Sequence, residues 1–149
     1  MNEKIILLVE DNPSDVDLTR RAFERSKLAN TLVVARDGQE ALDYLFGPQG
    51  VAGSAPDRLP ELVLLDLKLP RVDGHTVLRR IRSDPRTRRI PVVIMTTSQE
   101  EEDIAQSYDL GANSYIRKPV DFSQFSQSVQ QLGLYWLVMN EPPPKGAAV

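Results

Sequence analysis

Cysteine is absent from this 149-residue chain. That excludes a disulfide framework, thiolate catalysis and any cysteine-ligated zinc site. Histidine occurs once, at His75. It follows an Asp-Gly turn directly and reads as a surface residue. Charge of one sign is also lacking. Eighteen Lys and Arg oppose 21 Asp and Glu, for a net charge of −3. This balance argues against bulk attraction to nucleic acid or to an anionic membrane. No apolar run reaches transmembrane length. The first residues meet an acid at Glu3 and then a strand, so the charged start and apolar centre of a signal peptide are missing. A soluble, cytoplasmic, single-domain protein is the expectation, with a core that needs no covalent staple.

What is present centres on Leu62-Val63-Leu64-Leu65-Asp66-Leu67-Lys68-Leu69-Pro70. Four apolar residues run into one carboxylate, as in a strand buried on both faces. Ile5 to Val9 is a second such run, ending in Glu10-Asp11. Thr31 to Ala35 is a third. Ile90 to Met95 is a fourth and leads into Thr96-Thr97-Ser98. Ser114 to Arg117 is the last, closed by Lys118-Pro119.

Helical patterns fill the gaps. Asn12-Pro13 is a helix start for a segment reaching about Lys27. Gly38 opens a helix carrying Ala41, Leu42, Leu45 and Phe46. His75 to Ser83 carries Val77, Leu78 and Ile81, and Asp84-Pro85 ends it. Ser98 and Glu101 suggest a capping box for a thin, polar helix with Ile104 and Leu110. Asp121 caps a final helix with Phe122, Phe125, Val129 and Leu132 on one face. This helix continues through Tyr135, Trp136, Leu137, Val138 and Met139 until Pro142-Pro143-Pro144 stops it. Residues 47–60, with three Gly and three Pro, form a long surface loop. Five strands alternating with five helices predict an α/β fold. It is a doubly wound (βα)5 three-layer sandwich around a five-stranded parallel sheet. One domain covers 1–140, and 141–149 is a disordered tail.

The strand ends carry the polar groups: Glu10-Asp11, Asp66, Thr96 and Lys118. In a parallel sheet these ends share one edge. Crowded carboxylates need a cation, and Mg²⁺ suits them, taking oxygen ligands together with water and phosphate oxygens. Carboxylates, metal, lysine and hydroxyl together describe a phosphoryl site. Asp66 is its natural nucleophile.

With these residues in order, the chain resembles the receiver domain of two-component response regulators, which is flavodoxin-like, or CheY-like, in fold. The residues that carry the likeness are Glu10-Asp11, Asp66 with Leu69-Pro70 and Asp73-Gly74, Thr96, and Lys118-Pro119. The resemblance implies that a partner histidine kinase phosphorylates Asp66. It implies Mg²⁺ ligation by Asp11, Asp66 and the backbone carbonyl of Lys68, with Glu10 assisting through water. It implies that Lys118 pairs with the phosphoryl group, and that Thr96 and Tyr115 form a switch pair. Lys68 and Ser98 occupy positions that tune dephosphorylation in the family. The stretch Val93 to Ser98 and Leu134 to Leu137 look like the small stand-alone regulators paired with bacterial and cyanobacterial phytochrome kinases. With the chain ending at residue 149, output through protein contacts is expected, without nucleic acid or membrane as partner.

An aspartyl-phosphate hydrolase of the haloacid-dehalogenase type is the competing reading. It requires an acid two residues after the nucleophile, where this chain has Lys68. A nucleotide- or flavin-binding domain lacks its glycine-rich fingerprint. Arg79, Arg80, Arg82, Arg86, Arg88 and Arg89 read as a solvated basic face. Tyr135, Trp136 and Leu137 belong to a segment apolar nearly all round, and a homodimer seam is expected there.

Overall fold

The run Leu62–Leu65 does form a strand with every residue buried, and the rest of the chain is layered around it. The computed structural model describes residues 4–28, 30–47 and 58–144. Its elements are β1 (Lys4–Val9), α1 (Pro13–Ser26), β2 (Asn30–Ala35), α2 (Gly38–Phe46), β3 (Leu62–Leu65), α3 (Gly74–Ser83), β4 (Val92–Thr96), α4 (Glu101–Asp109), β5 (Ser114–Arg117) and α5 (Phe122–Leu134). The five strands pair in parallel in the order β2-β1-β3-β4-β5. Most of the expected 47–60 loop lies outside the described residues, as does the tail from residue 145 onward.

Period-two alternation sorts the strand side chains into two cores. Leu7, Val9, Val63, Leu65, Val92 and Ile94 pack with α2 and α3 through Ala41, Leu45, Val77, Leu78 and Ile81. Ile6, Leu8, Leu62, Leu64, Val93 and Met95 pack with α1 and α5 through Val16, Phe23, Phe125 and Val129. The polar faces of the helices turn to water, which leaves the strand ends as the place where polar groups can gather.

The helix starts follow their caps. Asn12 Oδ1 accepts the Ser14 and Asp15 amides with Pro13 in the first turn. Asp37, Asp73 and Asp121 cap α2, α3 and α5 through the Glu40, Thr76 and Gln124 amides. The expected Ser98–Glu101 capping box does not form. Glu100 occupies the cap position of α4 without a side-chain cap bond. The Ser98 hydroxyl instead donates to Asp103 Oδ2 at 2.6 Å, and its oxygen accepts the Glu100 amide. Because α4 begins at Glu101, Ser98 lies two residues ahead of the cap position, and its oxygen accepts the Glu100 amide rather than an amide of the first turn.

Arg82 is the second departure. Rather than joining a solvated face, it is half-buried and donates to the carbonyls of Gly111, Arg88 and Ile90 and to Asn113 Oδ1. It ties the end of α3 to the loops that lead into β4 and β5. Arg80 leans over the Phe46 ring, with 4.2 Å between guanidinium carbon and centroid. The third concerns the chain after α5. Tyr135–Met139 winds on as a single wide turn closed by Asn140 N–H to Tyr135 C=O. Leu137 turns into the chain's own core and Trp136 is half-buried against it. Tyr135, Val138 and Met139 stay exposed.

One close approach is tight enough to test. Gly74 donates its amide to Leu67 C=O at 3.0 Å. A Cβ there would sit 2.2 Å from the Asp66 carbonyl oxygen and 2.7 Å from Leu67 Cα. Backbone cannot step aside cheaply. Gly74→Ala is expected to lower stability by about 1–3 kcal/mol, read as a fall in the urea midpoint at unchanged slope.

Candidate functional site

The strand order reverses direction after β1, with β2 on one side and β3 on the other. Crevices beyond the carboxyl ends of strands form at such a point. Glu10 and Asp11 follow β1 there, and Asp66 follows β3. The Glu10 amide donates to Ala35 C=O and the Asp66 amide to Val9 C=O, which continues the ladder and sets both side chains at the edge. Oxygens of Glu10, Asp11 and Asp66 lie within 4.8 Å of one another. Glu10 and Asp66 are buried, whereas Asp11 is open to water. These hard carboxylate oxygens, part buried and part accessible, fit a hard divalent cation that keeps part of its water shell.

Lys118 enters from β5 with its side chain 6 % exposed. Its amide is held by Thr96 C=O at 2.7 Å. The ammonium donates to Glu10 Oε1, to Asp66 Oδ2 at 2.9 Å and to Asp15 Oδ2 at 2.9 Å. The remaining Asp66 oxygen, Oδ1, accepts the Leu67 amide at 2.7 Å and the Lys68 amide at 3.4 Å. Burial pushes the Glu10 carboxyl up to about 7, against the pull of the Lys118 ammonium. Burial works to lower the Lys118 pKa, but the Glu10, Asp66 and Asp15 carboxylates outweigh it and hold the ammonium above its ordinary range. The lysine is therefore a permanent cation.

Thr96 is fully buried at the end of β4, and its hydroxyl oxygen accepts the Ser98 amide at 3.5 Å. Tyr115 is half-buried, with its hydroxyl donating to Ser98 C=O at 2.9 Å. Both members of the expected switch pair are thus tied to the backbone of one residue, Ser98. Lys68, two residues past Asp66, is exposed, so no carboxyl stands at that position.

The response regulator receiver domain model matches residues 6–130. The chain belongs to that family. The receiver is 40 % identical over 134 residues to the response regulator Rcp1 of Synechocystis, covering 90 % of this chain and 89 % of Rcp1. It is 45 % identical over 139 residues to a probable methanogenesis regulatory protein, FilR2, of Methanothrix harundinacea, covering 93 % and 87 %. In structure it matches the phosphorylated cyanobacterial phytochrome response regulator RcpA with a TM-score of 0.88 and 43 % identity, over 96 % of this chain and all of that one. The Mn²⁺-bound form of Rcp1 matches with a TM-score of 0.86 over 95 % and 99 %. The haloacid-dehalogenase alternative finds no support in these likenesses.

Two receiver residues differ from their sequence reading. His75 is half-buried at the surface rather than free in solvent. Its Nε2 lies 2.9 Å from the hydroxyl of Ser107, which is fully buried. That hydroxyl donates its own proton to Asp103 C=O, so the imidazole is the donor between them. Asp15 belongs to no motif in the sequence, yet it is a partner of Lys118. Its place in the first turn of α1 was legible. The approach of α1 to the β5 end was not.

The Glu10 pKa fixes the sign of a pH effect. In the folded state the carboxyl titrates near 7 rather than at 4.5. Between those values the folded protein holds a proton that the unfolded chain has lost, so stability falls as pH rises through this window. Urea unfolding in EDTA from pH 5 to pH 8 is expected to show that decline, and Glu10→Gln is expected to flatten it.

Proposed function

We infer that Asp66 accepts a phosphoryl group from a partner histidine kinase. The observation that carries this reading is the buried Asp66 carboxylate, bonded to a permanent ammonium and grouped with Glu10 and Asp11 at the sheet edge. A carboxylate oxygen of Asp66 attacks phosphorus as the P–N bond to the kinase imidazole breaks. The electron pair stays on the imidazole nitrogen, which takes a proton from solvent. In dephosphorylation, water attacks phosphorus, the pair of the P–O bond returns to Asp66, and inorganic phosphate leaves with the protons of that water. Lys118 supplies fixed positive charge to the phosphoryl oxygens without a proton changing place.

Asp11, Asp66 and the Lys68 carbonyl would hold Mg²⁺ directly, with Glu10 helping through water. The ion would add charge neutralisation for the transferring group. Thr96 and Tyr115 then report the event. The buried hydroxyl turns toward the phosphoryl group, and the tyrosine gives up its Ser98 bond as its ring moves inward. The chain thereby acts as a signalling receiver that catalyses only its own phosphorylation and dephosphorylation. Residues 1–140 form this unit. The likeness to RcpA supports a phytochrome kinase as donor, and a kinase fed by ATP works in the cytoplasm.

Incubation with Mg²⁺ and acetyl phosphate is expected to add the mass of one phosphoryl group, released by hydroxylamine. Absence of the adduct, or its survival in Asp66→Asn, would overturn the reading. EDTA is expected to abolish its formation.

A homodimer is the second part of the proposal. Tyr135, Val138 and Met139 are 49 %, 58 % and 67 % exposed and adjoin the half-buried Trp136. Apolar groups gathered at one end of the chain in this way favour association. The seam runs along the outer face of this turn and excludes Leu137. Tyr135→Glu combined with Met139→Glu is expected to halve the mass found by sedimentation equilibrium, with an unchanged mass counting against the seam.

A further inference from the structure

Asp15 is the charged group at the site that neither cation binding nor phosphoryl transfer uses. Its Oδ2 is 2.9 Å from Lys118 Nζ, the same distance as Asp66 Oδ2. An ammonium has three N–H donors, and Glu10, Asp15 and Asp66 take all of them. The three acceptors are not equivalent. The Glu10 and Asp66 side chains are 4 % and 9 % exposed, and each accepts a backbone amide as well. Removing the ammonium from either would leave a buried acid without its partner. The Asp15 side chain is 20 % exposed and sits in the first turn of α1, where water can replace the lysine. Asp15 is therefore the one partner that Lys118 can release without leaving a buried acid unpaired.

We propose that Asp15 is a positioning residue that competes with the phosphoryl group for the Lys118 ammonium, and so weakens the hold of the phosphorylated site. This rests on Asp66 being the phosphoryl acceptor. With a phosphoryl group on Asp66, the anionic oxygens call on the same N–H donors that Asp15 draws toward solvent. The Asp15 charge also repels those oxygens across a partly screened distance. The acid thus lowers affinity for the phosphorylated state while leaving the acceptor and the cation ligands intact.

Asp15→Asn keeps the size of the side chain and an acceptor oxygen and removes the charge. The probe is beryllofluoride, a mimic of the phosphoryl group, titrated calorimetrically into the full chain at saturating Mg²⁺. Asp15→Asn is expected to bind it about threefold tighter than wild type, the scale of a partly exposed charge pair. Asp15→Glu, which restores the charge, is expected to return affinity to the wild-type value. A role confined to stabilising the first turn of α1 would shift the melting temperature and leave affinity unchanged. Unchanged or weaker binding by Asp15→Asn, with wild type binding normally, would overturn the competition. Failure of wild type to bind, matched by Asp66→Asn, would instead overturn the acceptor reading, and this proposal with it.

Discussion

One lysine against three carboxylates is the contact on which the site depends. Lys118 joins the ends of three elements remote in sequence: β1 through Glu10, α1 through Asp15 and β3 through Asp66. Buried acids as close as Glu10 and Asp66 need either a cation or a proton, and Lys118 supplies the cation. The lysine cannot discharge, because the acids that require it also hold its proton. Site and cation thus stabilise one another. The net charge left over is still negative, and that excess favours a divalent ion near Asp11.

The sheet makes this arrangement reachable. Parallel strands with helices on both faces put all carboxyl ends on one rim. The order β2-β1-β3-β4-β5 sets β1 beside β3 at the centre. The apolar runs that lead to Glu10 and Asp66 are buried on both faces, so each acid emerges from a rigid stem. Gly74 lets α3 begin against the carbonyl of Asp66, with no room for a side chain. The acceptor is held from behind by backbone and from the front by charge.

Residues whose role is set by strand position were legible in the sequence. A run such as Leu62–Leu65, short and stopped by Pro70, reads as an interior strand, which puts the acid after it at the rim. Glu10, Thr96 and Lys118 followed by the same reasoning. Asp15, His75 and Arg82 were not legible, because their roles are set by which helix packs beside which loop. Sequence spacing carries no information about the separation of Asp15 from Lys118, 103 residues away. Ser98 failed for a related reason. Its pattern matched a cap, but α4 begins two residues further on, with Glu100 in the cap position. Leu137 differed from its neighbours only by the phase of a widened turn that no periodicity predicts.

A thin apolar face leaves helix α4 fastened in a different way from the other four. Ser107 is its single buried residue. Leu110 at its cap packs on the core, and its other attachments are polar: Ser98 to Asp103, His75 to Ser107, and Arg82 to Gly111 just past its end. Hydrogen bonds of this kind contribute about 1 kcal/mol each net of water, and they break one at a time. Burial of an apolar face would instead act as a block. α4 therefore opens locally at lower cost than a helix that buries a full apolar face. A small displacement at Ser98 would change one of the α4 fastenings, through Asp103, and the Tyr115 hydroxyl contact at once.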